Sequence, residues 1–140
     1  MKKKKFLTLT IAFAMCFVMT SCGKSTTAKG IELTDEQKTE FFSLAETAIS
    51  ALNEERTEDI REMSNDELNE AITDEKFVEI YEQLGTFGDF VEFAEAEITS
   101  TVSNGVSYIV VFKQAKYAEK TLLYTLSYTE DKKLAGIYYK

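Results

Sequence analysis

Two repeat lengths of apolar residues divide this chain, and an unbroken apolar run precedes both. Between Thr34 and Leu84 apolar positions recur every three to four residues. Phe41, Ala45, Ala48 and Leu52 form one stripe, widened by Phe42 and Ile49. Glu40, Ser43, Glu46, Thr47 and Ser50 take the other side. That spacing predicts an amphipathic helix of about five turns. Thr34-Asp35-Glu36-Gln37 opens it as a capping box, and Ser64-Asn65-Asp66-Glu67 reads as a second one ahead of Leu68, Ala71 and Ile72. Thr73 caps a third helix carrying Phe77, Ile80, Tyr81 and Leu84, with Gly85 as its stop. Thr57 to Met63 fits a short helical turn between the first two. The stripes suit either a partner or a core, and the sheet that follows needs a cover.

From Phe90 onward the period is two, and four antiparallel strands are predicted. Phe90, Ala94, Ala96, Ile98 and Val102 alternate with polar residues. Val106, Tyr108, Val110 and Phe112 follow, then Leu122, Tyr124, Leu126 and Tyr128, and last Ala135, Ile137 and Tyr139. A two-residue Asn104-Gly105 loop would set Ile98 opposite Val111 and Ala96 opposite Lys113. A three-residue loop with Gly105 left-handed sets Ile98 opposite Val110 and Ala96 opposite Phe112. The second keeps one face apolar and is the expected register. A loop at 116–120 then places Val110 opposite Leu126 and Phe112 opposite Tyr124, and a loop at 130–133 places Leu126 opposite Ile137. Tyr108, Phe112, Tyr124, Tyr128 and Tyr139 then share the inner face with small residues (Ala94, Ala96, Ser100, Ala135), and Glu92 faces Lys116 at its end.

The run Phe6 to Val18 follows Lys2 to Lys5 and has the length of a signal h-region. It falls short of the roughly 20 apolar residues that span a bilayer. Met19-Thr20-Ser21-Cys22-Gly23 follows it, then a small, polar stretch to Gly30. The expected organisation is a signal peptide over residues 1–21, a flexible tether over 22–30 and one domain over 31–140.

Cys16 falls in the segment to be removed and Cys22 at the head of the tether, so the domain over 31–140 carries no thiol for a disulfide or a cysteine metal site. Loss of residues 1–21 takes four lysines and no acid, moving the net charge from −8 to −12 over the remaining 119 residues. Such a domain does not seek nucleic acid and is repelled by anionic lipid. The absence of histidine removes the commonest general base and metal ligand. Gly85-Thr86-Phe87-Gly88 lacks the spacing and the lysine of a phosphate loop, and Glu130-Asp131-Lys132-Lys133 does not supply the ordered oxygens of a calcium loop. No cofactor is expected. The carboxylate pairs Asp35/Glu36, Glu54/Glu55, Glu58/Asp59 and Asp66/Glu67 sit at helix starts, where acids suit the dipole, or on polar faces.

Two readings of the inner face stay open. Phenol hydroxyls in an apolar concavity could orient a small ligand, or the tyrosines pack large against small as core. Glu92 could act as a general base beside Tyr108, Tyr124 or Tyr128, in the manner of some isomerases, or form a cross-strand ion pair with Lys116.

Thr20-Ser21-Cys22-Gly23 resembles the lipobox of bacterial lipoproteins, with Met19 where leucine is usual. That resemblance implies a lipid on Cys22, cleavage before it and attachment to the extracytoplasmic face of the cell membrane. Helices followed by a curved four-stranded antiparallel sheet are similar to the cystatin-like, nuclear-transport-factor-like α+β cone. More narrowly, Ile72-Thr73-Asp74-Glu75 with Leu84-Gly85-Thr86-Phe87, and Leu126-Ser127-Tyr128-Thr129 through Leu134-Ala135-Gly136-Ile137, resemble the bacterial domain of unknown function 3887. The resemblance implies a fold and no reaction, because that fold hosts enzymes and binding modules alike. The expected function is a non-catalytic lipoprotein domain binding a small apolar ligand or an envelope protein. An isomerase or hydratase is the second expectation, and a homodimer through the outer sheet face the third.

Overall fold

The computed structural model describes residues 30–140. The signal segment, Cys22 and the tether short of Gly30 lie outside the described residues. Four helices come first: α1 (Asp35–Asn53), α2 (Thr57–Met63), α3 (Asp66–Ala71) and α4 (Asp74–Gly85). Four strands follow: β1 (Phe90–Ser103), β2 (Val106–Tyr117), β3 (Thr121–Tyr128) and β4 (Leu134–Tyr139). The strands form one open antiparallel sheet in chain order. This is the expected α+β architecture of helices followed by a four-stranded sheet.

The helix starts follow the capping chemistry. The Thr34 hydroxyl accepts from the Gln37 N–H, and the Thr34 N–H donates to Gln37 Oε1 at 2.9 Å. The Thr73 side chain accepts from the Lys76 N–H. Three details differ from expectation. The cap of α3 is Asn65, whose side chain accepts from the Leu68 N–H at 2.9 Å. Ser64 instead ends α2, donating its hydroxyl to the Ile60 carbonyl at 2.6 Å. The α4 helix does end at Gly85, but Thr86 behind it is right-handed and the left-handed turn falls to Gly88, at φ 80°. A Cβ on Gly88 would lie 2.8 Å from that of Ala118.

The β1–β2 register corrects the sequence reading. Asn104 and Gly105 have φ of 51° and 79°, the two left-handed residues of a two-residue hairpin turn. Ile98 therefore faces Val111, and Ala96 faces Lys113. The next pair follows suit: Val111, not Val110, faces Leu126, and Lys113, not Phe112, faces Tyr124. Tyr108 and Phe112 are thereby on the outer face. The rejected register kept a lysine off the inner face, but Lys113 is accommodated there. Its ammonium reaches Glu46 of α1 at 2.6 Å and lies 5.3 Å from the centre of the Phe93 ring. A long aliphatic stem with its charge carried to the margin tolerates such a site. Glu46, read from the helix pattern as polar-side, is turned to the sheet.

Two expected pairings hold. Leu126 faces Ile137. Glu92 faces Lys116 because an extra β1 residue between Phe93 and Ala96 makes a bulge that restores the expected count. A second irregularity, after Ser127, places Leu134 rather than Ala135 opposite Tyr128.

The core lies between α1 and the inner face. Phe41, Ala45, Ala48, Ile49 and Leu52 of α1 are buried, as are Ile109, Val111, Ala115, Leu122, Tyr124, Leu126 and Tyr128 of the sheet. Ile60, Leu68, Phe77 and Leu84 of the other helices complete it. The chain enters beside β1, where the Ser100 hydroxyl donates to the Ile31 carbonyl at 3.2 Å.

Candidate functional site

Three inner-face phenols, Tyr117, Tyr124 and Tyr139, spend their hydroxyls on each other and on helix side chains. Tyr117 donates to Asn53 Oδ1 at 2.6 Å, and the Tyr117 and Tyr124 oxygens lie 2.7 Å apart. With the Tyr117 proton on Asn53, Tyr124 donates to Tyr117. Tyr139 donates to Gln83 Oε1 at 2.7 Å, and its ring lies 5.5 Å from that of Tyr124. Tyr128 packs on Phe41 at 5.6 Å, its hydroxyl buried without a partner among the described residues. Burial pushes the Tyr124 phenol well above its ordinary value, and its hydrogen bond to Tyr117 pushes the same way. Burial alone raises Tyr128. Tyr117 is raised by burial, and the bond from Tyr124 opposes the shift. None of these groups is a base at neutral pH.

Glu92 is on the outer face, more than half exposed, and bonded to Lys116 at 2.6 Å. That bond holds its carboxyl below the ordinary carboxylate value. Tyr108 and Phe112 are half-buried on the same outer face. Phe112 there floors a shallow groove with Leu123, Gln114, Glu95 and Glu97. The structure thus brings Tyr124, Tyr128 and Tyr139 together inside, and places Tyr108, Phe112 and Glu92 apart from them. Cys22 lies outside the described residues.

A cleft of about 220 Å³ opens at the end of this phenol network. Its floor is Leu52 and Asn53 of α1, Leu84 of α4 and Tyr117 of β2. Tyr81 and Phe90 form its sides, and Glu55 and Asp89 stand among its lining residues. Local chemistry builds each wall. Tyr81 is fixed by a 2.8 Å hydroxyl contact with Thr57. The Phe90 ring meets the Tyr117 ring at 5.9 Å and 75°, an edge-to-face arrangement. Glu55 follows the last turn of α1 at φ 55°, and Asp89 follows left-handed Gly88. The Asn53 amide nitrogen beneath is buried and unpartnered among the described residues.

Sequence reasoning missed this cleft. Tyr117 fell in an expected loop, Tyr81 in a helix stripe and Glu55 among solvated acids. The one legible signal was Phe90 at the strand start. Among the described residues no group of acidic side chains is arranged to hold a metal ion, and no helix is long and apolar enough to cross a membrane.

The family described as "Protein of unknown function (DUF3887)" matches residues 45–137, from the middle of α1 into β4. The chain belongs to this family. The match takes in Tyr81, Phe90 and Tyr117, and with them every lining residue of the cleft. The fold is similar to that in "NMR structure of protein from Ruminococcus gnavus ATCC 29149", with a TM-score of 0.67 and 23% identity over 76% of this chain and 95% of that one. At that identity the likeness concerns the fold. No curated protein matches the chain.

Proposed function

We propose that the chain is an exported lipoprotein, held by lipid on Cys22 at the extracytoplasmic face of the membrane, and that its domain is a non-catalytic binding module. The anchoring half rests on the basic cluster, the apolar run and the cysteine behind small residues. Two acyl chains hold a protein stably where one does so only marginally. The Ile31 carbonyl is fixed at Ser100, toward the hairpin end of β1. The cleft, at Phe90, opens at the other end of that strand.

The observation that carries the binding half is the disposition of the acid–base candidates. An isomerase reading needs Glu92 beside inner-face phenols. Glu92 instead pairs with Lys116 on the outer face, while Tyr117 and Tyr124 are committed to each other and to Asn53. The cleft beside them stays open to a small molecule.

Native mass spectrometry of the protein extracted from its own membrane tests both halves. The expected species lacks residues 1–21, carries diacylglyceryl mass on Cys22 and retains a small ligand at low activation energy. A species of full-length mass without acylation contradicts the anchoring. Turnover of a co-purified small molecule, lost on substitution of Glu92, contradicts the binding reading.

A further inference from the structure

Taking the cleft as the binding site, we infer that its ligand is a small organic cation, an alkylammonium ion. Glu55 and Asp89 both line the cleft, and no lysine or arginine does. Among the described residues neither carboxylate makes an ion pair. Arg56, next in sequence to Glu55, is turned to Glu54 and Asp59. Tyr81, Phe90 and Tyr117 line the cleft as well, beside Leu52, Asn53 and Leu84. Aromatic faces attract a cation through the ring quadrupole, and carboxylates add a charge that an anionic ligand would meet as repulsion. The chain makes a similar contact nearby with its own side chain: Lys120 Nζ lies 5.1 Å from the centre of Phe87, whose ring meets Tyr117 at 6.4 Å. The volume of about 220 Å³ lies below the range of roughly 300–1,000 Å³ that holds drug-sized ligands, which selects an ion of few heavy atoms.

The test titrates the full chain in mild detergent with tetramethylammonium chloride, sodium isobutyrate and tert-butanol, three probes of similar bulk and different charge. The readout is the ring-proton NMR shifts of Tyr81, Phe90 and Tyr117. Tetramethylammonium is expected to give saturable shifts at these rings, and the other two none. In a Glu55→Gln, Asp89→Asn double variant, altered only at exposed positions, its affinity is expected to fall about tenfold. Unchanged affinity in that variant overturns the cation assignment. Saturable shifts from isobutyrate or tert-butanol but not from the cation also overturn it, and leave the cleft as a binding site. The absence of saturable shifts from every probe overturns the inference together with the cleft's binding role.

Discussion

Tyr124 and Tyr138 lie on neighbouring strands, yet the first is fully buried and the second 63% exposed. The contrast runs across the sheet. On the inner face Tyr117, Tyr124, Tyr128 and Tyr139 meet helix side chains and one another. On the outer face Tyr108 and Phe112 are half-buried and Tyr138 is exposed. The residue types are alike. What separates them is parity along each strand, and parity between β1 and β2 is set by Asn104 and Gly105. A turn of two residues therefore decides which aromatic rings of β2 support the core, Tyr117, and which lie on the outer face, Tyr108 and Phe112.

The largest effect should separate the two faces directly. Tyr124→Ala removes a buried ring and the donor to Tyr117, and should cost about 3 to 5 kcal/mol in urea denaturation. Tyr138→Ala should stay within about 0.5 kcal/mol. Comparable losses for both would break the comparison.

The buried lysine sharpens it next. Glu46→Gln leaves the Lys113 ammonium without its carboxylate. Because Glu46 is itself partly exposed, the expected loss is only about 1 kcal/mol. Lys113→Met keeps the stem and discards the charge, so it should be close to neutral. A severe loss for Lys113→Met, with none for Glu46→Gln, would show that the ammonium has another partner.

The turn itself comes third. Gly105→Ala forces a Cβ into φ 79° and should cost about 1 kcal/mol. Gly85→Ala, at a helical position with open space around it, should be neutral or stabilising.

The smallest expected change belongs to Tyr128, whose hydroxyl is buried without a partner. Tyr128→Phe should be neutral or stabilising by up to about 1 kcal/mol. It should also soften alkaline unfolding. The folded-state phenols of Tyr124 and Tyr128 are raised above their ordinary value of 10.0. Their stabilisation is fully present below pH 10 and is lost as pH rises from there toward the folded-state values. The denaturation midpoint should hold steady from pH 7 to about 9.5 and then fall, less steeply in Tyr128→Phe.

Much of this layout was legible in the sequence. Thr34 and Thr73 announce their helices through side-chain acceptors, Phe41 through Leu52 trace the buried stripe, and Leu126 finds Ile137 across a short turn. The β1–β2 register was not. Preference for an unbroken apolar face outweighed the Asn-Gly turn signal, because a strand pattern does not reveal that Lys113 can reach Glu46 from another element. The bulge after Phe93 then hid the slip at Glu92 and Lys116. The cleft escaped for a related reason: Asn53, Tyr81 and Tyr117 come from three elements, and only their packing brings them to one place.

The most direct test of the two-residue turn and the faces it creates is the set of cross-strand nuclear Overhauser contacts between the β1 and β2 backbones. The account predicts contacts of Ile98 with Val111 and of Ala96 with Lys113. Contacts of Ile98 with Val110 and of Ala96 with Phe112 would contradict it, and would return Tyr108 and Phe112 to the inner face.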